Sequence, residues 1–156
     1  KDGTITAANS SSISDGASAL ILASHEAAQR HGVKPLAKML GHATHSRHPS
    51  EFTIAPVGAI EKLMKKLGWG VNDVDLFEIN EAFSNVTLAA MREHNIPHEK
   101  VNIHGGAVSM GHPIGASGAR ILVTLISALK QKKKKLGLAT LCIGGGEAAA
   151  VVVETV

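Results

Sequence analysis

The sequence predicts an α/β protein. Segments with helical periodicity alternate along the chain with short runs of strand-forming residues. Apolar residues make up 44% of the chain and aromatic residues only 3%, so the core must consist of the aliphatic side chains that fill packed helix and sheet layers. The last two strand-like runs are separated by little more than three glycines, which predicts a hairpin and therefore a mixed sheet.

The first part of the chain is expected to form a strand, a helix and a second strand. Residues 4–8 alternate β-branched and small side chains, as strands do. Asp15 is a good N-cap for a helix that extends to about His31, and Gly32 provides its C-terminal stop. Residues 36–45 are again typical of a strand.

The middle of the chain is expected to form a helix, a buried strand and a further helix. The apolar positions of the first helix are spaced by three and four residues and comprise Val57, Ile60, Met64 and Leu67. Gly68 ends this helix, residues 74–79 are typical of a buried strand, and a helix is expected from Glu81 onward. Asn80 therefore lies where a strand becomes a helix.

The last part of the chain begins with a glycine-rich loop, residues 102–118. A helix is expected at residues 119–130, and the two strands of the terminal hairpin at residues 138–143 and 148–154.

Charge and cysteine content exclude several classes of function. With 16 basic and 13 acidic residues the net charge is +3, and no basic stripe or interleaved aromatic residues support nucleic-acid binding. No apolar run approaches the roughly 20 residues that span a bilayer, so no membrane partner is expected. A single cysteine excludes an internal disulfide framework and fits a reducing, cytoplasmic compartment.

His112 lies in the middle of the glycine-rich loop. Glycine lets the backbone approach a ligand closely, and the helix that follows offers its N-terminus to an anion. The loop lacks both the Gly-Lys-Ser/Thr of a Walker A loop and the Gly-x-Gly-x-x-Gly of a dinucleotide site. The local pattern leaves two interpretations open: a ligand-binding histidine, or a tight turn with a structurally satisfied histidine.

Cys142, Gly144 and Asn80 are the other candidates for chemistry, and each has a structural alternative. Cys142 is either a small core side chain or a thiol that faces a cleft from a strand end. Gly144 either forms a bulged hairpin turn or aims its N–H at an oxyanion. Asn80 is equally compatible with a helix cap and with a water or oxyanion ligand.

No metal site is expected. His42, His45 and His48 are spaced by three residues on an extended segment, and this spacing does not place all three on one face.

Four segments together resemble the thiolase family over nearly the whole chain. They are GTITAANSSSISDG at residues 3–16, NEAF at 80–83, GGAVSMGHPIGASGAR at 105–120 and LCIGGG at 141–146. The resemblance implies a thiolase-like fold, with a C-terminal βαβαβαββ half whose mixed five-stranded sheet is flanked by helices. Residues 1–32 would supply the last strand and helix of the N-terminal domain, and residues 33–156 the C-terminal domain.

The resemblance also implies a chemistry, the thiolytic cleavage or Claisen condensation of acetoacetyl-CoA or a longer 3-ketoacyl-CoA. His112 would activate a nucleophilic cysteine, and Cys142 would act as the general acid and base. Asn80 would hold a water that forms an oxyanion hole with His112, and the Gly144 N–H would contribute to a second. Coenzyme A would be a substrate, without a covalently bound cofactor. Its pantetheine would be lined by Ala7, Ala8, Ser11, Ala82 and Phe83.

The sequence departs from the family pattern in one respect. The family's nucleophilic cysteine lies in the N-terminal half, whereas Cys142 is the single cysteine here. The chain is therefore expected to be a piece of a larger enzyme, inactive without the missing N-terminal half. The parent enzyme is expected to be a homodimer or homotetramer, and a mitochondrial or peroxisomal address in a preceding segment is compatible with the sequence.

Two alternatives to thiolase chemistry are disfavoured by the residues at these positions. Ketoacyl synthases share the fold but place a histidine at the position of Asn80 and lack a cysteine at that of Cys142, which disfavours decarboxylative condensation. A non-catalytic acyl-CoA or lipid-binding module of thiolase ancestry is disfavoured because binding alone does not require an acid–base cysteine.

Overall fold

The computed structural model describes residues 2–156 and contains one mixed β-sheet. Its strands are β1 (Ala37–Ser46), β2 (Leu76–Ile79), β3 (Leu136–Cys142) and β4 (Glu147–Thr155). They are arranged in the order β1-β4-β3-β2. Strands β2 and β3 are parallel, whereas β4 is antiparallel to both β3 and β1. The α/β class, the mixed sheet and the terminal hairpin are thereby confirmed.

Helices cover both faces of this sheet. They are α1 (His25–Arg30), α2 (Ala55–Leu67), α3 (Ser84–His94), α4 (Ala107–Met110) and α5 (Ser117–Gln131). Short 3₁₀ turns occur at Ala7–Asn9, Pro49–Ile54, Val71–Asp73, His98–Lys100 and Ile114–Ala116. Within the part of the chain that the structure describes, no helix combines the length and apolar character needed to cross a membrane.

Side chains alternate between the two faces of the sheet, so each face has its own core. Leu138 and Val152 pack with α2 and α3 on one face, and Ala139 and Val153 pack with α5 on the other. Helix α5 approaches β3 closely at Gly137, where an added Cβ would lie 2.7 Å from the Leu125 side chain. The result is a three-layer α/β/α arrangement.

The predicted end of α2 matches the structure. Val57, Ile60, Met64 and Leu67 are all at least partly buried. Gly68 follows with φ of +69°, a left-handed conformation that glycine adopts without steric cost, and its N–H caps the Lys65 carbonyl.

The sheet has four strands, so the prediction of five was wrong. Beside β2, a single bridge joins Val101 to Phe77. Asn102 ends it, because this residue turns to φ of +47° and its side chain replaces main-chain pairing. The Asn102 carboxamide accepts from the Ile79 N–H at 2.8 Å and donates to the Ile79 carbonyl at 2.9 Å.

We expect Asn102→Ala to lower the free energy of unfolding by about 2–3 kcal/mol, because it removes the partners of buried backbone groups. Urea denaturation measures the loss. Asn102→Gly separates the effect of the left-handed backbone from that of the lost hydrogen bonds, since glycine tolerates the left-handed conformation but makes no side-chain hydrogen bonds. The exposed Asn72→Ala is the control and is expected to change stability by less than about 0.5 kcal/mol. A neutral Asn102→Gly would contradict the hydrogen-bonding role.

The N-terminal segment does not form the strand and the long helix that its sequence predicts. Residues 4–8 form no strand, and the helix expected from Asp15 is confined to α1, whose N-cap is Ser24. Within residues 2–156 the apolar side chains expected on its inner face are only partly covered, and Ile21 is 97% exposed. Because most helix stability in proteins comes from packing of the apolar face, an unpacked segment does not hold a helix.

Candidate active site

The ends of the two parallel strands bring together two of the predicted site positions. Asn80 directly follows β2, and its N–H donates to the Thr140 carbonyl of β3 at 2.9 Å. Cys142 is the last residue of β3. Since parallel neighbours end at the same edge of the sheet, Asn80 and Cys142 lie at one edge, the usual position for ligand sites in α/β proteins.

The glycine-rich loop is held against this edge by Glu81. One carboxylate oxygen of Glu81 accepts from Asn102 Nδ2 at 2.8 Å, and the other accepts from the Val108 N–H at 3.1 Å. Gly106 lies directly on this carboxylate, where a Cβ has no space. Glu81 thus determines where the loop that carries His112 begins.

His112 contacts Asn80 directly. Its Nε2 lies 3.3 Å from Asn80 Nδ2, and its Nδ1 lies 2.6 Å from the Ser117 hydroxyl. Ser117 is fully buried and also donates to the Pro113 carbonyl at 3.0 Å. On the other side of the pair, Arg120 Nη2 donates to Asn80 Oδ1 at 3.3 Å. The imidazole is therefore fixed at both nitrogens.

Burial shifts the protonation of the two candidate acid–base groups. It lowers the pKa of His112, and the positive charge of Arg120 lowers that pKa further. Burial raises the pKa of the Cys142 thiol, against a weaker effect of a backbone hydrogen bond. At neutral pH the favoured forms are a neutral imidazole, which can accept a proton, and a protonated thiol, which can donate one.

Cys142 lies on the opposite face of the sheet from Arg120. It is 8% exposed and packs in the core shared by α2 and α3, together with Leu138 and Ala148. None of the hydrogen bonds among residues 2–156 joins Cys142 to His112 or Asn80. The three residues share a sheet edge, but among residues 2–156 only Asn80 and His112 are joined by a hydrogen bond.

Gly144 lies in the turn of the terminal hairpin. The turn is closed by hydrogen bonds from Ile143 and Gly146, while in the described residues the Gly144 N–H donates to no backbone carbonyl. A Cβ added at Gly144 would meet nothing within 4 Å. The amide is thus available to an external acceptor.

The five positions assigned to coenzyme A belong to two segments that lie side by side. The Ser11 N–H and hydroxyl both donate to the Ala82 carbonyl, at 3.1 and 3.0 Å. Ser10 and Phe83 form an antiparallel bridge, which places Ala7 and Ala8, both exposed, near the start of α3. The structure thereby brings this group together, next to the segment that carries His112, because the His112 N–H donates to the Ser12 carbonyl at 3.2 Å.

Sequence reasoning gave no role to four residues that organise the site. They are Glu78, Glu81, Ser117 and Arg120. Two signals were present: Glu78 lies between Phe77 and Ile79 in a buried strand, and Arg120 lies in the first turn of a largely apolar helix. Charged side chains in such positions are rarely buried unless they are paired.

Comparison with known protein families identifies the chain. Residues 33–155 match the model of the thiolase C-terminal domain, and residues 1–26 match that of the thiolase N-terminal domain. The first match alone covers well over half of the 156 residues, so this chain belongs to the thiolase family.

Two curated relatives are acyltransferases by name. Acetyl-CoA acetyltransferase IA from Candida tropicalis is 51% identical over 156 residues, and a probable acetyl-CoA acyltransferase from Staphylococcus aureus is 50% identical over 154 residues. The alignments cover 100% and 99% of this chain but only 39% of each relative. The chain thus spans about two fifths of their length and aligns to their C-terminal portion.

Solved structures share the fold. An acetyl-CoA acetyltransferase from Bacillus anthracis has a TM-score of 0.96 and 44% identity, with 100% of this chain and 40% of that chain covered. A thiolase from Ascaris suum in complex with coenzyme A has a TM-score of 0.89 and 44% identity, covering 99% and 40%. Human mitochondrial 3-ketoacyl-CoA thiolase in complex with CoA has a TM-score of 0.92 and 37% identity, covering 100% and 40%.

Proposed function

We propose that this chain is the C-terminal part of a coenzyme A-dependent acyltransferase that cleaves 3-ketoacyl-CoA by thiolysis or forms it by Claisen condensation. The observation that carries the proposal is the Asn80–His112 pair, held at 3.3 Å at the sheet edge where Cys142 also lies. The coenzyme A complexes of two structural relatives support coenzyme A as the ligand class.

In the proposed reaction His112 is the base for a cysteine outside these 156 residues. Neutral Nε2 takes the proton of that thiol, and the thiolate attacks the keto carbonyl of the substrate. The carbon–carbon bond then breaks, and Cys142 protonates the enolate of the leaving acyl-CoA. The acyl group remains on the nucleophile as a thioester until the thiol of coenzyme A gives its proton back to Cys142 and attacks the thioester, which releases the nucleophilic thiolate. In the condensation direction Cys142 removes the α-proton.

Two sets of donors would stabilise the oxyanions. Asn80 and His112 lie together, so a water bound by the carboxamide and the protonated Nε2 would both face the thioester enolate. The Gly144 N–H would contribute to the hole for the tetrahedral intermediate on the enzyme's acyl group. The pantetheine would lie along Ala7, Ala8, Ser11, Ala82 and Phe83, where two segments already meet.

The proposed partner of the chain is the N-terminal part of a thiolase. Residues 1–32 would belong to that domain, and residues 33–156 would form the C-terminal one. Exposure of large apolar side chains in the first segment supports this division, with Ile13 101% and Leu22 81% exposed.

A chimaera tests the proposed function. The C-terminal portion of the Bacillus anthracis acetyl-CoA acetyltransferase is replaced by this chain, and loss of acetoacetyl-CoA is followed in the presence of coenzyme A. We expect turnover by the chimaera and none by the 156-residue chain alone, because the chain's one cysteine is Cys142. A folded chimaera that binds coenzyme A without turnover would favour the non-catalytic binding module instead.

A further inference from the structure

Asn80, His112 and Ser117 form an unbroken chain of hydrogen bonds that begins at Arg120 and ends at the Pro113 carbonyl. The contacts run from Arg120 Nη2 to Asn80 Oδ1, from Asn80 Nδ2 to His112 Nε2, and from His112 Nδ1 to the Ser117 hydroxyl. Ser117 donates onward to the Pro113 carbonyl. All of these atoms belong to side chains that are at least partly buried, apart from the terminal carbonyl.

The groups at the two ends of this hydrogen-bond series determine which atom donates and which accepts in every hydrogen bond between them. A guanidinium has five donors and no acceptor, so the oxygen of the Asn80 carboxamide must face Arg120 and its NH₂ must face His112. Nε2 then accepts, and a neutral imidazole that accepts at Nε2 carries its proton on Nδ1. The Ser117 oxygen accepts that proton, and its own hydrogen is used on the Pro113 carbonyl, which can only accept.

Arg120 is itself held in place from β2. Its Nη1 lies 3.6 Å from Glu78 Oε2, and the Glu78 side chain is only 3% exposed. Glu78 lies on β2 and Asn80 follows two residues later, directly after the strand. Both face α5, and the guanidinium is positioned between them. Nε and Nη1 of Arg120 are buried without hydrogen-bond partners within residues 2–156, so the guanidinium is held by these two contacts alone.

We propose that Arg120, anchored by Glu78, is a positioning residue that orients the Asn80 carboxamide and thereby selects the Nδ1–H tautomer of His112. Only this tautomer presents a lone pair on Nε2, the nitrogen that faces Asn80. A base for an incoming thiol needs that lone pair. The inference deepens the proposed function and rests on it for its catalytic meaning, but the tautomer itself is a property of the chain without substrate.

Nitrogen-15 NMR of the labelled 156-residue chain measures the tautomer directly. Spectra are recorded at pH 8, where the imidazole is neutral because burial and Arg120 lower the pKa of His112. We expect an excess of about tenfold or more of the Nδ1–H form in the wild-type chain. In Arg120→Met the excess is expected to fall to about twofold, because the Asn80 carboxamide is then free to turn over.

Three variants separate positioning from mere loss of structure. Arg120→Lys keeps a donor-only side chain and is expected to preserve the Nδ1–H form, while Arg120→Gln, which can both donate and accept, is expected to lose it. Arg92→Met removes an exposed arginine of α3 and is the matched control, with the tautomer unchanged. If Arg120→Met fails to fold, the test is the difference in the His112 tautomer ratio between Arg120→Lys and Arg120→Gln.

An unchanged tautomer in folded Arg120→Met or Arg120→Gln would overturn the inference, as would a wild-type chain that holds the Nε2–H form. Neither result depends on turnover by the chimaera. An inactive chimaera that contains a wild-type His112 in the Nδ1–H form would contradict the proposed function and leave the positioning role of Arg120 intact.

Discussion

Replacing His112 by alanine in the chimaera is expected to lower kcat/KM for acetoacetyl-CoA thiolysis by about a thousandfold. The loss has a specific physical cause. Without the imidazole the nucleophilic thiol has no neutral base within reach, and one of the two donors proposed for the enolate oxyanion is also removed. Steady-state rates over a range of acetoacetyl-CoA concentrations separate the effect on kcat from that on KM.

His104→Ala is the matched control for this experiment. His104 belongs to the same glycine-rich loop but is exposed, so its removal is expected to leave kcat and KM within about twofold of the parent chimaera. A His112→Ala chimaera that retains more than about a tenth of the activity would show that another group activates the thiol, and would remove His112 from the mechanism.

The sequence contained enough information to place Asn80 and His112 within the fold, but not to predict the contacts between them. Asn80 was correctly placed at the end of a buried strand, and His112 in a glycine-rich loop, because both positions depend on local patterns. The role of Arg120 depends on the packing of α5 across β2. A residue separation of 40 between Arg120 and Asn80 leaves no periodicity that could reveal their hydrogen bond.

In the N-terminal segment the sequence pattern predicted more regular structure than forms. Its apolar pattern between Asp15 and His31 predicted a long helix, yet only α1 forms. Periodicity records which face of a segment is suited to burial, whereas helix formation depends on a surface that buries it. The mismatch between pattern and structure therefore identifies apolar side chains, Ile21 among them, that residues 2–156 leave exposed.

We expect the stability of the chain to depend on pH through Glu78. Burial raises the pKa of its carboxyl group from 4.5 to about 7, with Arg120 opposing the shift and the nearby Glu81 adding to it. Because the folded pKa is the higher one, the stabilisation associated with proton binding is complete below pH 4.5 and is lost as pH rises through 7. A shift of this size corresponds to about 3 kcal/mol.

Glu78→Gln isolates this contribution, because glutamine mimics the protonated carboxyl group and does not titrate. Urea denaturation of the variant and the wild-type chain at pH 4.5 and pH 8 gives two stability differences. Subtracting one difference from the other cancels the contribution of every other titrating group to the free energy of unfolding. We expect the variant to gain about 3 kcal/mol relative to wild type between the two pH values, whereas the exposed Glu93→Gln of α3 should gain almost nothing. A Glu78→Gln difference that is the same at both pH values would mean that Arg120 compensates the buried carboxylate fully. The Glu78–Arg120 pair would then remain ionised from pH 4.5 to pH 8. Glu78 would not lose its charge below pH 7, and its anchoring of Arg120 would not weaken there.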